Sequence, residues 1–338
     1  MLLEFIWLIM ANIYGMPQSE KEILDRCPGY INNFEDIDKV FKESNTKLDA
    51  ERKNFNDELP NRINEEKGKL ENIKTEKARI IETSENKVKS IKNQLDKNKK
   101  EKKYFAVAAD FAKILAQKYI SKPIKVIKNQ VEEKNQENVL FQWENNPEDF
   151  FNEQQAELLK KIATLKGIKT DSYYSGAYGE IVALKQLSKL SDNYHILCGV
   201  NIELENWHSH HGSKIKTAQI DFLVISNKGI FIIEVKNWSD NYNGHHMSPH
   251  EQLERTNRVL YIFLKEELGD SVPIKGRLYN LLLPIKNNMR YDQDYKYIFV
   301  YSLDKINNFI DSKQSVLHDY EVEEIVDCLE SHITAFNR

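Results

Sequence analysis

An α/β protein, with a mixed sheet flanked by helices and a long helical region before it, is what this chain predicts. Three observations carry that expectation. Residues 44–103 are dominated by Lys, Glu, Asn and Asp, with isolated apolar residues at helical spacings. From residue 178 onward, helix-like segments are interleaved with short apolar runs of strand length. Two neighbouring runs of the second kind carry Asp221, Glu234 and Lys236, ionisable groups on otherwise apolar strands.

Residues 1–32 read as a short apolar N-terminal segment. Its first ten residues are greasy but include Glu4 and no basic lead-in, and polar residues arrive by Asn12. That run is too short to span a bilayer. A short helix packed on another element is expected, and membrane contact is the weaker reading.

Residues 33–129 read as a charged helical arm with coiled-coil character. Leu48, Phe55, Leu59, Ile63, Leu70, Ile73, Ile80, Val88, Ile91 and Leu95 recur at three, four and seven, several in a loose heptad. The phase shifts between Ile80 and Val88, so one uninterrupted coiled coil is not expected. Pro60 predicts a break or the first turn of a new helix. Such an arm suits a rigid spacer or a homodimer joined through its helices. Lys99 and Lys100, in the basic run 96–103, are candidates for salt-sensitive phosphate contact, against the simpler reading of a solvated face. Phe105, Ala108, Phe111, Ala112, Leu115 and Tyr119 form a one-sided stripe that suggests a helix docked on something. Residues 130–170 then read as a connector and a leading helix. The connector character spans 121–150, with Pro123 and Asn145-Asn146-Pro147, and the helix starts near 154.

The last segment, 171–338, reads as the core. A helix over 178–190 carries Ile181, Val182, Leu184, Leu187 and Leu190 on one side, and a strand is expected over 194–201. Residues 203–214 lengthen the connection to the Asp221 strand. Asn227-Lys228-Gly229 reads as a turn before the apolar run 230–236. A helix over 249–264, strands within 276–284 and 297–301, and a terminal helix over 322–333 complete the order.

Composition sets outer limits. A chain of 338 residues holds one sizeable core plus an extension, or two domains. Its net charge of −4 argues against a uniformly cationic coat, while a local positive groove stays open. Cys27, Cys198 and Cys328 are far apart and odd in number, which fits a reducing cytoplasmic location and excludes a disulfide framework. No glycine-rich loop ends in Gly-Lys-Ser or Gly-Lys-Thr, so no nucleotide cofactor is expected. Six of the nine histidines lie between His208 and His250, on expected loops or near a helix start. Their spacing matches no familiar zinc pattern. Contact of one loop histidine with a scissile phosphate is a softer reading.

The chemistry concentrates on Asp221 and on Glu234-Val235-Lys236. Period two places Glu234 and Lys236 on one face of a strand. Asp221 and Glu234 suit a shared hard cation, Mg²⁺, with Mn²⁺ able to substitute, and the Val235 carbonyl can add a donor. Lys236 beside it can orient water and offset charge growing on a phosphate. Glu180, in the preceding helix, offers a further acidic ligand. The bland reading is an exposed Glu234–Lys236 ion pair with Asp221 as a turn residue.

Ser175-Gly176-Ala177-Tyr178-Gly179-Glu180, Gln219-Ile220-Asp221, the run from Gly229 through Glu234-Val235-Lys236-Asn237-Trp238, and residues 249–252 occur in that order. Together they resemble the nuclease-related domain, NERD, a branch of the restriction-endonuclease-like PD-(D/E)xK superfamily. The likeness covers roughly residues 173–303. It implies a restriction-endonuclease-like sheet order and metal-dependent phosphodiester hydrolysis of nucleic acid, DNA ahead of RNA. In that likeness Glu180 matches the acidic residue of the first helix, Asp221 the metal-binding aspartate, Glu234 and Lys236 the Glu-x-Lys pair, and Gln252 a glutamine that supports the site. Trp238 and Tyr242 are candidates for stacking on bases. Two features depart from the family's pattern: the lengthened 203–214 segment and a shortened stretch between Trp238 and Pro249. The alternatives are a nucleic-acid-binding module without turnover, and a coiled-coil scaffold with a nuclease-like domain.

Overall fold

The structure, a computed structural model, describes residues 10–237, 248–286 and 295–334. The chain divides into two units: residues up to Phe41 together with those from Thr164 onward, and Lys42–Ala163 between them.

The first unit is built on a mixed six-stranded sheet whose strands stand in chain order. They are β1 (Asn12–Tyr14), β2 (His195–His210), β3 (Ser213–Ser226), β4 (Gly229–Lys236), β5 (Leu278–Pro284) and β6 (Ile298–Val300). β2, β3 and β4 form an antiparallel meander, while β1, β5 and β6 add in parallel. Central β4 is buried on both faces, which is why it reads as an unbroken apolar run rather than an alternating one. Phe231, Ile233 and Val235 join a core beneath α7 (Ser172–Leu187) and α9 (Ile306–Asp311). Ile230 and Ile232 join the opposite core beneath α8 (Pro249–Leu268) and α10 (Asp319–Glu330).

Local chemistry sets the helix ends. The Asp171 side chain accepts from the Tyr173 N–H at 2.9 Å to start α7. Pro249 opens α8 at a position where its missing N–H costs nothing, and Gly269, at φ +63°, closes it. A third cluster packs α1 (Gln18–Arg26) through Ile23 and Leu24 against Ala177 of α7 and Ile168 of the helix that precedes it.

The connection expected over 203–214 is instead a long β2–β3 hairpin. Ile202, Leu204 and Ile215 are buried along it, and its pairing shifts register between Glu203 and His208. Its turn is His211-Gly212, both at positive φ (44° and 78°), as a two-residue type I′ loop requires. The Glu-, Asn- and His-rich composition hid the strand, because those residues are poor strand formers on average. Strand β1 was likewise not expected. Residues 1–9, for which a short packed helix was expected, lie outside the described residues.

The second unit, with its helices bounded as they run, contains most of α2 (Phe34–Lys100), then α3 (Tyr104–Ala116), a π-helical turn (Gln117–Ser121), α4 (Lys122–Asn145), α5 (Pro147–Gln154) and the start of α6 (Ala156–Lys169). The pairs Lys77–Glu133, Lys67–Glu144 and Arg52–Glu148 run in opposite directions along α2 and the returning helices, so the arm folds back as a helical hairpin within one chain. Three expectations change here. Pro60 does not break α2: its freed carbonyl partner, on Asn56, is exposed and can bond to water. Residues 121–150, expected as a connector, are helical on both sides of Asn146. Their base is fixed by Trp143, whose ring stacks on Phe150 at 4.0 Å, and by Phe55 against Phe151 at 5.4 Å. The stripe from Phe105 to Tyr119 is left uncovered among the described residues: Phe105, Phe111, Leu115 and Tyr119 are all exposed.

Candidate active site

At the C-terminal end of β4 the sequence brings a carboxylate and an ammonium to one face. Glu234 is 3% exposed, and Lys236 Nζ donates to its Oε1 at 2.5 Å. The pair, with Glu234 buried and Lys236 half-buried, is therefore not the exposed surface pair of the bland reading. Lys236 Nζ also donates to Gln252 Oε1 at 3.1 Å, so the first turn of α8 holds the ammonium from above.

Asp221 stands on β3 where strand alternation breaks. Cys198 and Phe222 belong to one core, Val200 and Ile220 to the other, and between them lie Gly199, at φ +60°, and Asp221. The local distortion takes Asp221 out of the ordinary pleat. Its Oδ2 accepts from the Val235 N–H at 2.7 Å, a backbone donor of the neighbouring strand.

Glu180 comes from α7 and is 5% exposed. Two donors from Ser19, at the start of α1, hold it: the N–H reaches Oε2 at 3.1 Å and Oγ reaches Oε1 at 2.5 Å. The glycines of the preceding motif explain how α7 comes this close. A Cβ on Gly176 would lie 2.9 Å from Ser19 Oγ, and one on Gly179 would lie 2.8 Å from Asn237 Cβ. Asn237 in turn ties β4 to α7, its Nδ2 donating to the Ser175 carbonyl at 2.7 Å. Ser19 and Asn237 were not read from the sequence as parts of the site. Asn237 stood beside the Glu-x-Lys pair, but nothing local marks Ser19, which lies 161 residues from its partner.

The electrostatics follow from crowding carboxyls under a layer of protein. Burial, reinforced by the charge of Asp221, pushes Glu234 up to about 8, with Lys236 pulling the other way. Burial and Asp221 likewise push Glu180 up to about 8, against the two Ser19 bonds. Burial also raises Asp221, opposed by Lys236 and the Val235 N–H. Three carboxyls thus share one pocket of charge, and their donors are all oxygens.

Lys99 and Lys100 are exposed in the last turn of α2, in the other unit. Trp238 and Tyr242 lie outside the described residues, as does most of the shortened stretch before Pro249.

The profile described as NERD, nuclease-related domain, matches residues 175–279. Residues 175–279 are a nuclease-related domain. The NERD segment contains Glu180, Asp221, Glu234, Lys236 and Gln252. No curated protein and no solved structure matches the chain.

The NERD segment also holds a second group of ligand type. His210, His211 and Glu254 bring one possible donor atom each to within 4.8 Å of one another, a group that could hold a metal ion. His210 ends β2, His211 is in the hairpin turn, and Glu254 is on α8. No helix among the described residues is long and apolar enough to cross a membrane.

Proposed function

We infer that the nuclease-related domain hydrolyses phosphodiester bonds of nucleic acid, DNA ahead of RNA, with Mg²⁺ as its cofactor and Mn²⁺ able to replace it. The observation that carries this reading is a surplus of carboxylate beside a restrained ammonium: buried Glu180 and Glu234 and half-buried Asp221 near Lys236. An all-oxygen donor set under a charge surplus suits a hard divalent cation. Asp221 and Glu234 would hold it, with Glu180 and the Val235 carbonyl as further donors. When bound there, Mg²⁺ supplies Lewis-acid polarisation of a phosphate oxygen and a more acidic water.

The chain's own residues do the rest. The Val235 N–H fixes the angle of the Asp221 carboxylate and leaves its second oxygen for a ligand. Ser19 fixes Glu180 so that it approaches without rotamer freedom, which keeps the site preorganised. Gln252 Oε1 and Glu234 Oε1 hold the Lys236 ammonium in place, where its charge can orient a water or meet negative charge building on phosphate. Lys99 and Lys100 are proposed phosphate contacts, and Trp238 and Tyr242 proposed base contacts.

The arm is proposed to join two chains. Ile120, Ile124, Ile127 and Val131 are each more than half exposed, at the 4-3-4 spacing of a coiled-coil seam. Ile124→Glu with Ile127→Glu is expected to turn a dimer into a monomer by light scattering.

Cleavage of labelled single- and double-stranded DNA and RNA with Mg²⁺ or Mn²⁺, beside Asp221→Ala, tests the main reading. Activity lost in the variant supports it and names the substrate. Binding of nucleic acid without metal-dependent turnover by the wild type would favour a binding module instead.

A further inference from the structure

We propose that His210, His211 and Glu254 form a second metal site, taking a divalent transition metal of Zn²⁺ type and pinning the tip of the β2–β3 hairpin to α8. The inference does not depend on the core being a nuclease.

Three features carry it. The first is the convergence: two imidazoles and a carboxylate, from a hairpin tip and a helix, with donor atoms within 4.8 Å of one another. Zn²⁺ with bonds of about 2.1 Å in a tetrahedron needs donors about 3.4 Å apart, so modest side-chain rotations close the set. The second is the backbone. Successive strand residues point to opposite faces, so neighbouring histidines would ordinarily diverge. His211 departs from that at φ +44°, uncommon for a residue with a Cβ, and its ring centroid lies 4.3 Å from that of His210. The third is Glu254. It is half-buried on α8, and its charge acts on the His210 imidazole across the hairpin tip, against Arg258 one turn along the same helix.

The donor set decides the metal class. Two imidazole nitrogens and one carboxylate oxygen favour a borderline-soft ion over Mg²⁺, which prefers oxygen alone. The site therefore differs in chemistry from the all-oxygen centre around Asp221. Three protein ligands leave a fourth position, which opens on a cleft of about 460 Å³ lined by Asn257, Arg258, Tyr261 and Lys275. A bound ion would close a loop between residues 211 and 254. It would also fix the first turns of α8, which carry Gln252.

The test uses the full chain without an added histidine tag, stripped of metal by a chelator. Zn²⁺ is titrated by calorimetry with Mg²⁺ in large excess, and in parallel in the Asp221→Ala background, so that the acidic centre does not contribute. Co²⁺ replaces Zn²⁺ in an absorption experiment that reports a four-coordinate nitrogen-oxygen set. One equivalent of Zn²⁺ is expected in both backgrounds, with intense visible Co²⁺ bands. His210→Ala, His211→Ala and Glu254→Gln should each weaken Zn²⁺ binding at least tenfold and abolish those bands. All three positions are at least partly exposed, and circular dichroism of each variant verifies that it folds. Zn²⁺ binding unchanged in all three variants, or no Zn²⁺ binding under either masking condition, would overturn the proposal.

Discussion

Glu66 in the arm and Glu234 in the core are both carboxyl side chains with almost no exposed surface, 7% and 3%, yet their charge is treated in opposite ways. Glu66 lies in a two-helix layer. Lys69 Nζ reaches it at 2.6 Å and Gln136 Nε2 at 2.5 Å. The Lys69 bond holds it below the usual carboxylate range, against the cost of burial. Glu234 lies on the central strand β4, and Lys236 at 2.5 Å does not offset burial together with Asp221, so it is pushed up to about 8. In the arm a buried charge is neutralised in place. In the core, Glu180, Asp221 and Glu234 leave a surplus that a proton or a cation must take up. A scaffold needs only the first arrangement; the second suits a site that awaits a ligand.

The largest expected effect is on turnover. Glu234→Ala should lower Mg²⁺-dependent cleavage by ~10³-fold or more, since several kcal/mol of charge stabilisation goes with the ligand. Lys236→Ala should slow it by ~10²-fold with Mg²⁺ affinity in calorimetry largely kept. Glu66→Ala should leave cleavage rates as they are. Equal losses for Glu66 and Glu234 would erase the distinction between the two regions.

Next comes the packing that brings α7 to the site. Gly179→Ala is expected to destabilise the core by about 1–3 kcal/mol in urea, because the new methyl meets Asn237 Cβ, which cannot swing away. Gly176→Ala should cost less stability, since Ser19 Oγ can rotate, but should break the Ser19–Glu180 bond and reduce turnover. A milder effect for Gly179 than for Gly176 in urea would show that α7 is not held as tightly as the distances imply.

The pH dependence sharpens the contrast further. Glu180 and Glu234 bind protons more tightly folded than unfolded, where the ordinary value is 4.5. Their contribution to stability is complete below that value and is lost as pH rises through about 8. Measured without metal, the melting temperature of the wild type relative to Glu180→Gln should therefore fall across that window, and Mg²⁺ should remove the fall. A flat difference would mean that the core carboxyls are already balanced.

The smallest effect belongs to the arm and has the opposite slope. Glu66 contributes stability above its unfolded value, and that contribution is lost as pH falls through its lowered folded value. Glu66→Gln should cost ~1 kcal/mol or less near neutrality, and nothing in acid, by denaturant titration.

The elements that the sequence reveals are those with short-range patterns. The run of β4 is apolar on both faces and carries Glu234 and Lys236 at period two, so strand and pair could be read together. The α7 and α8 helices announced themselves by one-sided apolar residues and by Pro249. The hairpin tip was legible only through His211-Gly212, a weak turn signal in a stretch whose polar residues do not favour strands. Pro60 failed as a breaker because an exposed helix loses little when water takes over its carbonyl. Ser19 could not be found at all. Its link to Glu180 depends on where α1 packs, and that follows from Ile23 and Leu24 meeting residues far along the chain.

That same bond sets an order of events during synthesis. Ser19 must wait for Glu180, 161 residues later, and at ribosomal speed the wait is on the order of ten to thirty seconds. The arm lies wholly within that interval, and its contacts are local enough to form first. The edge strand β1 and helix α1 are made before the arm yet pair with residues made after it, so a nascent chain holds its acidic centre unassembled until the arm is already made.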